Sequence, residues 1–280
     1  MLVLSRHGMG DSTNVVLVAL SLSDLIFSTS ETFSRSVRIV NRYDLAWADA
    51  LSTIQFIGFV RVSLWAMVTS TWLVSVISVE RMLAVCFPFH VSRLTSPKKM
   101  TCTVVLVYIF VTPLYYPYLG HFYATWDYDP VLNKTYLYLY MTQWYYDNYW
   151  WLTVHERYIL PSFATTIPMV AILVGTFTTI VALTTQTAQH KRVLNTSSLR
   201  ARRAKEMKSV KISLLICLCL AFSILIPNAA LDAWIGLNIH AVPLVILDMI
   251  RDFTQLAVQL NASMNFFIYV ALSSKFKETY

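Results

Sequence analysis

The chain has 280 residues, 56% of them hydrophobic and only 13% charged, with a formal net charge of +7. An average soluble domain is about 25% charged, so this composition excludes a disordered chain and argues against an ordinary cytosolic enzyme. The 6 Gly and 9 Pro form no repeat, which removes collagen-like and linker classes. What remains is a polytopic membrane protein, and its 16 Tyr and 8 Trp suit membrane–water interfaces.

A helix needs about 20 mostly apolar residues to cross a bilayer. In chain order, six stretches meet that demand: 15–37, 48–79, 101–122, 160–185, 210–235 and 242–271. Asp24 lies inside the first, and Pro227 breaks the fifth. The second is long enough to tilt or protrude. The fold expected is an all-α integral membrane bundle forming one domain over 1–280. A short amphipathic helix begins at Ser273-Ser-Lys-Phe-Lys277 on the inner membrane surface. The apolar residues 1–4 followed by Ser5-Arg6-His7 read as the end of a preceding helix, so the expectation is that one further helix belongs before residue 1. No signal-peptide pattern precedes the first span.

Charge sets the orientation. With 185–209 inside, 15 of the 22 basic residues are cytoplasmic, among them Arg81, Lys98, Lys99 and the basic run 191–211. The long loop 122–159 is then outside, and it carries a glycosylation sequon at Asn133-Lys-Thr135. A second sequon, Asn195-Thr-Ser197, falls inside, where it is expected to stay unmodified. The four cysteines, Cys86, Cys102, Cys217 and Cys219, lie in or near helices. None is placed for an extracellular disulfide, and Cys217-x-Cys219, the wrong spacing for metal or redox chemistry, reads as small apolar residues of a buried helix.

Asp24 stands mid-span in Leu20-Ser-Leu-Ser-Asp-Leu25, where exposure to lipid costs about 2.5 kcal/mol or more. A hydrogen-bonded structural acid is the competing account. Glu80-Arg81 closes the second span, followed by Met82-Leu-Ala-Val-Cys-Phe-Pro88 and a basic loop. The neighbouring charges can pair and hold the arginine back; released, it offers up to about five donors to whatever docks there. In the last span, Asn261-Ala-Ser-Met-Asn265-Phe-Phe-Ile-Tyr269 puts Asn265 and Tyr269 on one helical face.

Jointly, Leu-Ser-Leu-Ser-Asp24, Glu80-Arg81-Met82, Pro227 and Asn265-Phe-Phe-Ile-Tyr269 with Phe276 resemble the rhodopsin-like G-protein-coupled receptors, in order and spacing. The resemblance covers essentially the whole chain. The Glu-Arg-Met-Leu-Ala-Val-Cys-Phe-Pro and Asn-Phe-Phe-Ile-Tyr stretches look most like invertebrate FMRFamide-type neuropeptide receptors and related chemosensory orphans. Several positions depart from the family pattern. Phe56 stands near the place of the usual extracellular cysteine, Leu225 replaces the tryptophan before the fifth-span proline, and Phe266 follows Asn265 where a proline is usual.

The resemblance implies a seven-transmembrane receptor at the plasma membrane, signalling through a heterotrimeric G protein. It makes 48–79 the receptor's third helix, with Ser63, Met67, Ser70 and Val74 on one face. It also implies a sodium-sized polar pocket and switch at Asp24, Ser70, Asn261, Asn265 and Tyr269. For G-protein coupling it points to Glu80, Arg81, Pro88 and Lys208, with the 210–235 helix swinging outward near Pro227. The competing account of the sodium pocket is a water-filled network without an ion.

Polar stripes recur at a four-residue spacing: Arg251, Gln255 and Gln259; Asn228 and Asp232; Glu31 and Arg35. Lipid cannot satisfy them, so they turn inward to a cavity beneath the Tyr- and Trp-rich segment 136–151. Ligand contacts are therefore expected at Glu31, Ser63, Met67, Asn228, Asp232, Arg251, Gln255 and Gln259. Pairing between or within helices, such as Glu31 with Arg35, competes for the same residues. A mixed-charge cavity under aromatics suits a peptide carrying Arg and an aromatic residue, its cation received by Asp232, Asp248 or Glu31. By the resemblance, Ser63 in place of an aspartate argues against a biogenic amine, and the absence of lysine from 242–271 argues against retinal. No voltage-sensor arginines or Thr-Val-Gly-Tyr-Gly filter support a channel or transporter. No HExxH or GxSxG supports an enzyme. A truncated, non-signalling receptor fragment is the remaining alternative. Membrane lipid is expected as a partner, and nucleic acid is not.

Overall fold

A computed structural model describes residues 12–87, 95–131 and 133–190, with single positions between 218 and 262. In chain order its elements are α1 (Ser12–Val40), α2 (Leu45–Ile54), a π-helical turn (Gln55–Phe59) and α3 (Val60–Cys86). Then come α4 (Pro97–Tyr115), a 3₁₀ turn (Tyr116–Gly120) and the strands β1 (Phe122–Asp129) and β2 (Lys134–Met141). Short helices α5 (Gln143–Asp147) and α6 (Tyr149–Val154) follow, then π turns at His155–Ile159 and Ser162–Thr166, and α7 (Ile167–His190).

Four helical stretches among the described residues are long and apolar enough to cross a membrane: Asn14–Val37, Trp47–Cys86, Pro97–Gly120 and Tyr149–Thr185. They correspond to the first four spans expected from the sequence. The second extends past residue 79 to Cys86, which makes Glu80 a buried helical residue rather than a solvated helix end. The fourth begins at Tyr149, earlier than the expected residue 160, because two π turns let the 155–166 segment continue the helical path.

The faces of these helices follow their patterning. Along α4, Met100, Val104, Val107 and Val111 are buried at alternating four- and three-residue steps. Val105, Leu106, Ile109 and Phe110 on the other side are exposed. In α7, Met169, Ile172, Thr176 and Thr179 are buried while Val170, Leu173, Val174 and Phe177 are exposed. Exposed apolar stripes on membrane-length helices are what acyl chains cover. α3 differs, because most of its length from Ser63 to Glu80 is buried.

The chain divides into two compact units. In the first, which includes Thr71–Cys102 and the chain from Pro168, Leu73, Val74 and Ile77 of α3 and Met169 and Ile172 of α7 are buried. Here Ser78 donates from its hydroxyl to the Ile172 carbonyl at 3.1 Å, with the Thr176 hydroxyl 3.3 Å away. Gly175 permits that approach, since a Cβ there would stand 2.6 Å from Ser78 Oγ and 3.1 Å from the Ser78 carbonyl oxygen.

The second unit, Leu22–Ser70 with Thr103–Ile167, holds the hairpin. β1 and β2 pair antiparallel, from Phe122 opposite Met141 to Asp129 opposite Lys134. The strands 122–129 and 134–141, expected only as loop, therefore form a two-stranded antiparallel ribbon. Its strands carry the β-branched and aromatic residues that fit a pleated surface. Thr53 of α2 donates to the Leu137 carbonyl at 3.1 Å, which ties the ribbon to the helix.

Cys86, half-buried at the end of α3, and Cys102, exposed on α4, lie in helices as expected. Glu31 and Arg35 form no ion pair with each other among the described residues, because Glu31 is engaged by α3 instead.

Candidate functional site

Within the hairpin unit, α1 and α3 run antiparallel and meet at two polar rungs. Ser70 donates to Asp24 Oδ1 at 2.7 Å, and Ser63 donates to Glu31 Oε1 at 2.6 Å. Asp24 to Glu31 is seven residues, as is Ser63 to Ser70, so each rung is two helical turns from the other on both helices. That spacing returns the same faces to one another. All four residues are buried: Asp24 is 8% and Glu31 5% exposed. Between the rungs along the two helices, Phe27 of α1 and Ala66 of α3 are buried and Met67 is half-buried.

The residues expected to line a ligand cavity and those expected to form a sodium pocket are thus linked in pairs by the same helix contact. Each carboxylate accepts a hydrogen bond from a serine hydroxyl, which is how an apolar interior keeps an acid at tolerable cost. Next to Asp24, Ser23 shares a 2.8 Å hydrogen bond with the Tyr108 hydroxyl of α4. Trp65 donates from Nε1 to Thr112 at 3.2 Å, which adds an α3–α4 tie.

Other predicted positions are described singly. Glu80 is buried and Arg81 half-buried on α3. Gln259 is helical and half-buried. Asn133 is exposed in the hairpin turn with φ 52°, the left-handed region that asparagine tolerates. Its Oδ1 accepts from the Tyr128 hydroxyl at 2.5 Å. Asn228, Asp232, Arg251, Gln255, Asn261, Asn265, Tyr269, Pro88, Lys208 and Pro227 lie outside the described residues, as does Asp248.

The structure adds two features that the sequence did not reveal. One is a cavity of about 290 Å³ between α2 and β2, lined by Asp49, Ser52, Thr53 and the 136–139 segment. The other is a cluster around Arg61. Its guanidinium carbon lies 4.6 Å from the Tyr118 ring centre, 5.5 Å from Phe56 and 5.7 Å from Phe122. His121 and His155 are almost wholly buried beside Tyr118. Both features are assembled by tertiary contact between distant segments, so no local motif announces them.

The profile of the family described as "Serpentine type 7TM GPCR chemoreceptor Srw" matches residues 1–280. The chain belongs to this family. Srw membership makes it a multi-pass protein of the plasma membrane and a G-protein-coupled receptor by class. The Srw match agrees with the seven-transmembrane fold and with the four membrane-length helices described. It bears out a G-protein-coupled receptor but names a chemoreceptor family, not the rhodopsin-like neuropeptide receptors that the sequence resembles. No curated protein matches the chain.

Proposed function

We propose that this Srw receptor binds an extracellular peptide and activates a heterotrimeric G protein. The observation that carries the reading is the pair of buried acid–hydroxyl rungs between α1 and α3. Ionisable groups at membrane depth are costly, so they mark function by default. The Glu31–Ser63 rung contributes to the ligand side, and the Asp24–Ser70 rung is the seat of the switch. Asp24 and Ser70 supply hard oxygen donors of the kind a small cation takes, so sodium is the ion proposed there. Protonating Asp24 or displacing that ion would alter the balance between two helix packings.

In this reading the hairpin face is extracellular and Glu80–Arg81 is cytoplasmic, consistent with the excess of basic residues on that side. The peptide enters beside the hairpin. The cavity with Asp49 and the rings of Tyr136 and Tyr138 offers a cationic side chain a carboxylate and aromatic surface. Deeper contacts come from Glu31, Ser63 and Met67, with Asn228, Asp232, Arg251, Gln255 and Gln259. On activation the 210–235 helix swings about Pro227, and Arg81, flanked by Lys208, meets the G protein.

The test uses a synthetic panel of short peptides, amidated and free, each carrying Arg and an aromatic residue, on cells displaying the receptor. At least one should raise nucleotide exchange. Its potency should fall by tenfold or more in the variant Asp232→Ala with Arg251→Ala, at unchanged surface level. An unchanged response in that variant would remove the pocket assignment.

A further inference from the structure

Arg61 sits at the start of α3, two residues before Ser63. Two helical residues subtend about 200°, so Arg61 points to the side of α3 opposite the Glu31 rung. There it meets the end of the α4 span and the first hairpin residue, through the rings of Tyr118 and Phe122. Three segments with irregular helical turns converge on it: the π turn Gln55–Phe59, the 3₁₀ turn Tyr116–Gly120 and the π turn His155–Ile159. Such turns re-aim side chains and recur at functional sites.

The cluster is incomplete in hydrogen bonding. Arg61 Nη1, His121 Nε2 and His155 Nδ1 are all buried with no hydrogen-bond partner. Arg61 has no described carboxylate within ion-pair distance, although Glu156 stands on the rim, its Oε1 3.8 Å from His121 Nδ1. His121 is 3% exposed and His155 4%. Inside the membrane-length stretch Trp47–Cys86, Arg61 is boxed by aromatic faces; Glu156 acts on it electrostatically from beyond ion-pair distance, and its Nη1 is left without an acceptor.

We propose that Arg61 and His121 form a binding site for an organic carboxylate, separate from the α1–α3 rungs. One carboxylate oxygen accepts from Arg61 Nη1, and the other accepts from His121 Nε2–H. The 3.8 Å separation from Glu156 is too long to fix the imidazole proton on Nδ1. The rings of Phe56, Phe122 and Tyr118 then enclose the apolar part of the ligand, which selects an organic anion over chloride.

Benzoate is the probe. The full chain, purified into lipid nanodiscs, is unfolded thermally with benzoate, with benzamide, and with sodium chloride at matched ionic strength. Benzoate should raise the midpoint by a few degrees and saturate, while benzamide and chloride should not. Arg61→Gln should abolish the shift. His121→Phe should weaken benzoate by about tenfold, the loss of one charge-assisted hydrogen bond, and His121→Gln, whose amide nitrogen reaches a similar place, should restore much of it. Glu156→Gln should tighten binding, by removing a like charge from the rim. Absence of a saturable benzoate shift in the wild-type chain overturns the proposal, as does an equal shift with benzamide or chloride. The readout does not involve G-protein coupling, so it stands or falls independently of the signalling reading.

Discussion

His121 lies one residue beyond the third span and is buried among rings, 4.9 Å from Tyr118 and 5.3 Å from Tyr145 between ring centres. Burial, with smaller contributions from Arg61 and His155, pushes its pKa down to about 4. The imidazole is therefore neutral at neutral pH, and its contact with Glu156 is not an ion pair there. In the unfolded chain the same histidine takes a proton near the ordinary value of about 6.5. Above that pH the two states bind equally. As pH falls from 6.5 toward 4 the unfolded state binds more protons, and stability declines. The melting midpoint of the purified chain should fall between pH 7 and pH 5, and His121→Phe should flatten part of that slope. An identical slope in the variant would contradict the burial account. At this scale the sequence was informative where a polar residue interrupts an apolar span. Asp24 and Glu31 were legible that way, Ser63 and Ser70 only through the resemblance, and the structure joins them in pairs. Arg61, His121 and His155 were not, because each is ordinary locally and only the fold collects them.

Among the elements, the hairpin shows why a pattern can be present and still be misread. Lys134-Thr-Tyr-Leu-Tyr-Leu-Tyr-Met141 alternates with a period of two, the signature of a strand. Its place between two apolar spans, with a high density of Tyr and Trp, made it read as a loop. The start of the fourth span was misplaced for a different reason: π turns have no composition of their own, and residues such as His155, Glu156 and Arg157 look like a loop end. The approach of α3 to α7 at Ser78 and Gly175 was equally hidden, since a lone glycine in an apolar run carries no partner label. Gly175→Ala should destabilise the chain by about 1–3 kcal/mol, through overpacking against Ser78. Adding Ser78→Ala removes the oxygen 2.6 Å from the new methyl and should recover part of the loss. Melting curves of Gly175→Ala, Ser78→Ala and the double variant check this, and effects that simply add would contradict it.

For the whole molecule, composition and span count led to the correct class, and Srw membership agrees with it. Orientation rests on the asymmetry of Lys and Arg, and Asn133 provides the test. That residue is exposed in the hairpin turn, accessible to glycosylation if the hairpin faces outward. The receptor expressed in eukaryotic cells should carry a glycosidase-sensitive mass that disappears in Asn133→Gln and persists in Asn195→Gln. Dependence on Asn195 instead would invert the topology and exchange the ligand and signalling faces.

The central claim is signalling through Arg81, at the end of α3 remote from Ser63 along the same helix. The direct measurement is ligand-independent nucleotide exchange on heterotrimeric G proteins in membranes carrying the wild-type chain or Arg81→Ala, at matched surface level. The account predicts exchange above that of receptor-free membranes for the wild type, and its loss in the variant with no change in surface amount. Wild-type-level exchange in Arg81→Ala, or no exchange by the wild-type chain on any G-protein class, would contradict it.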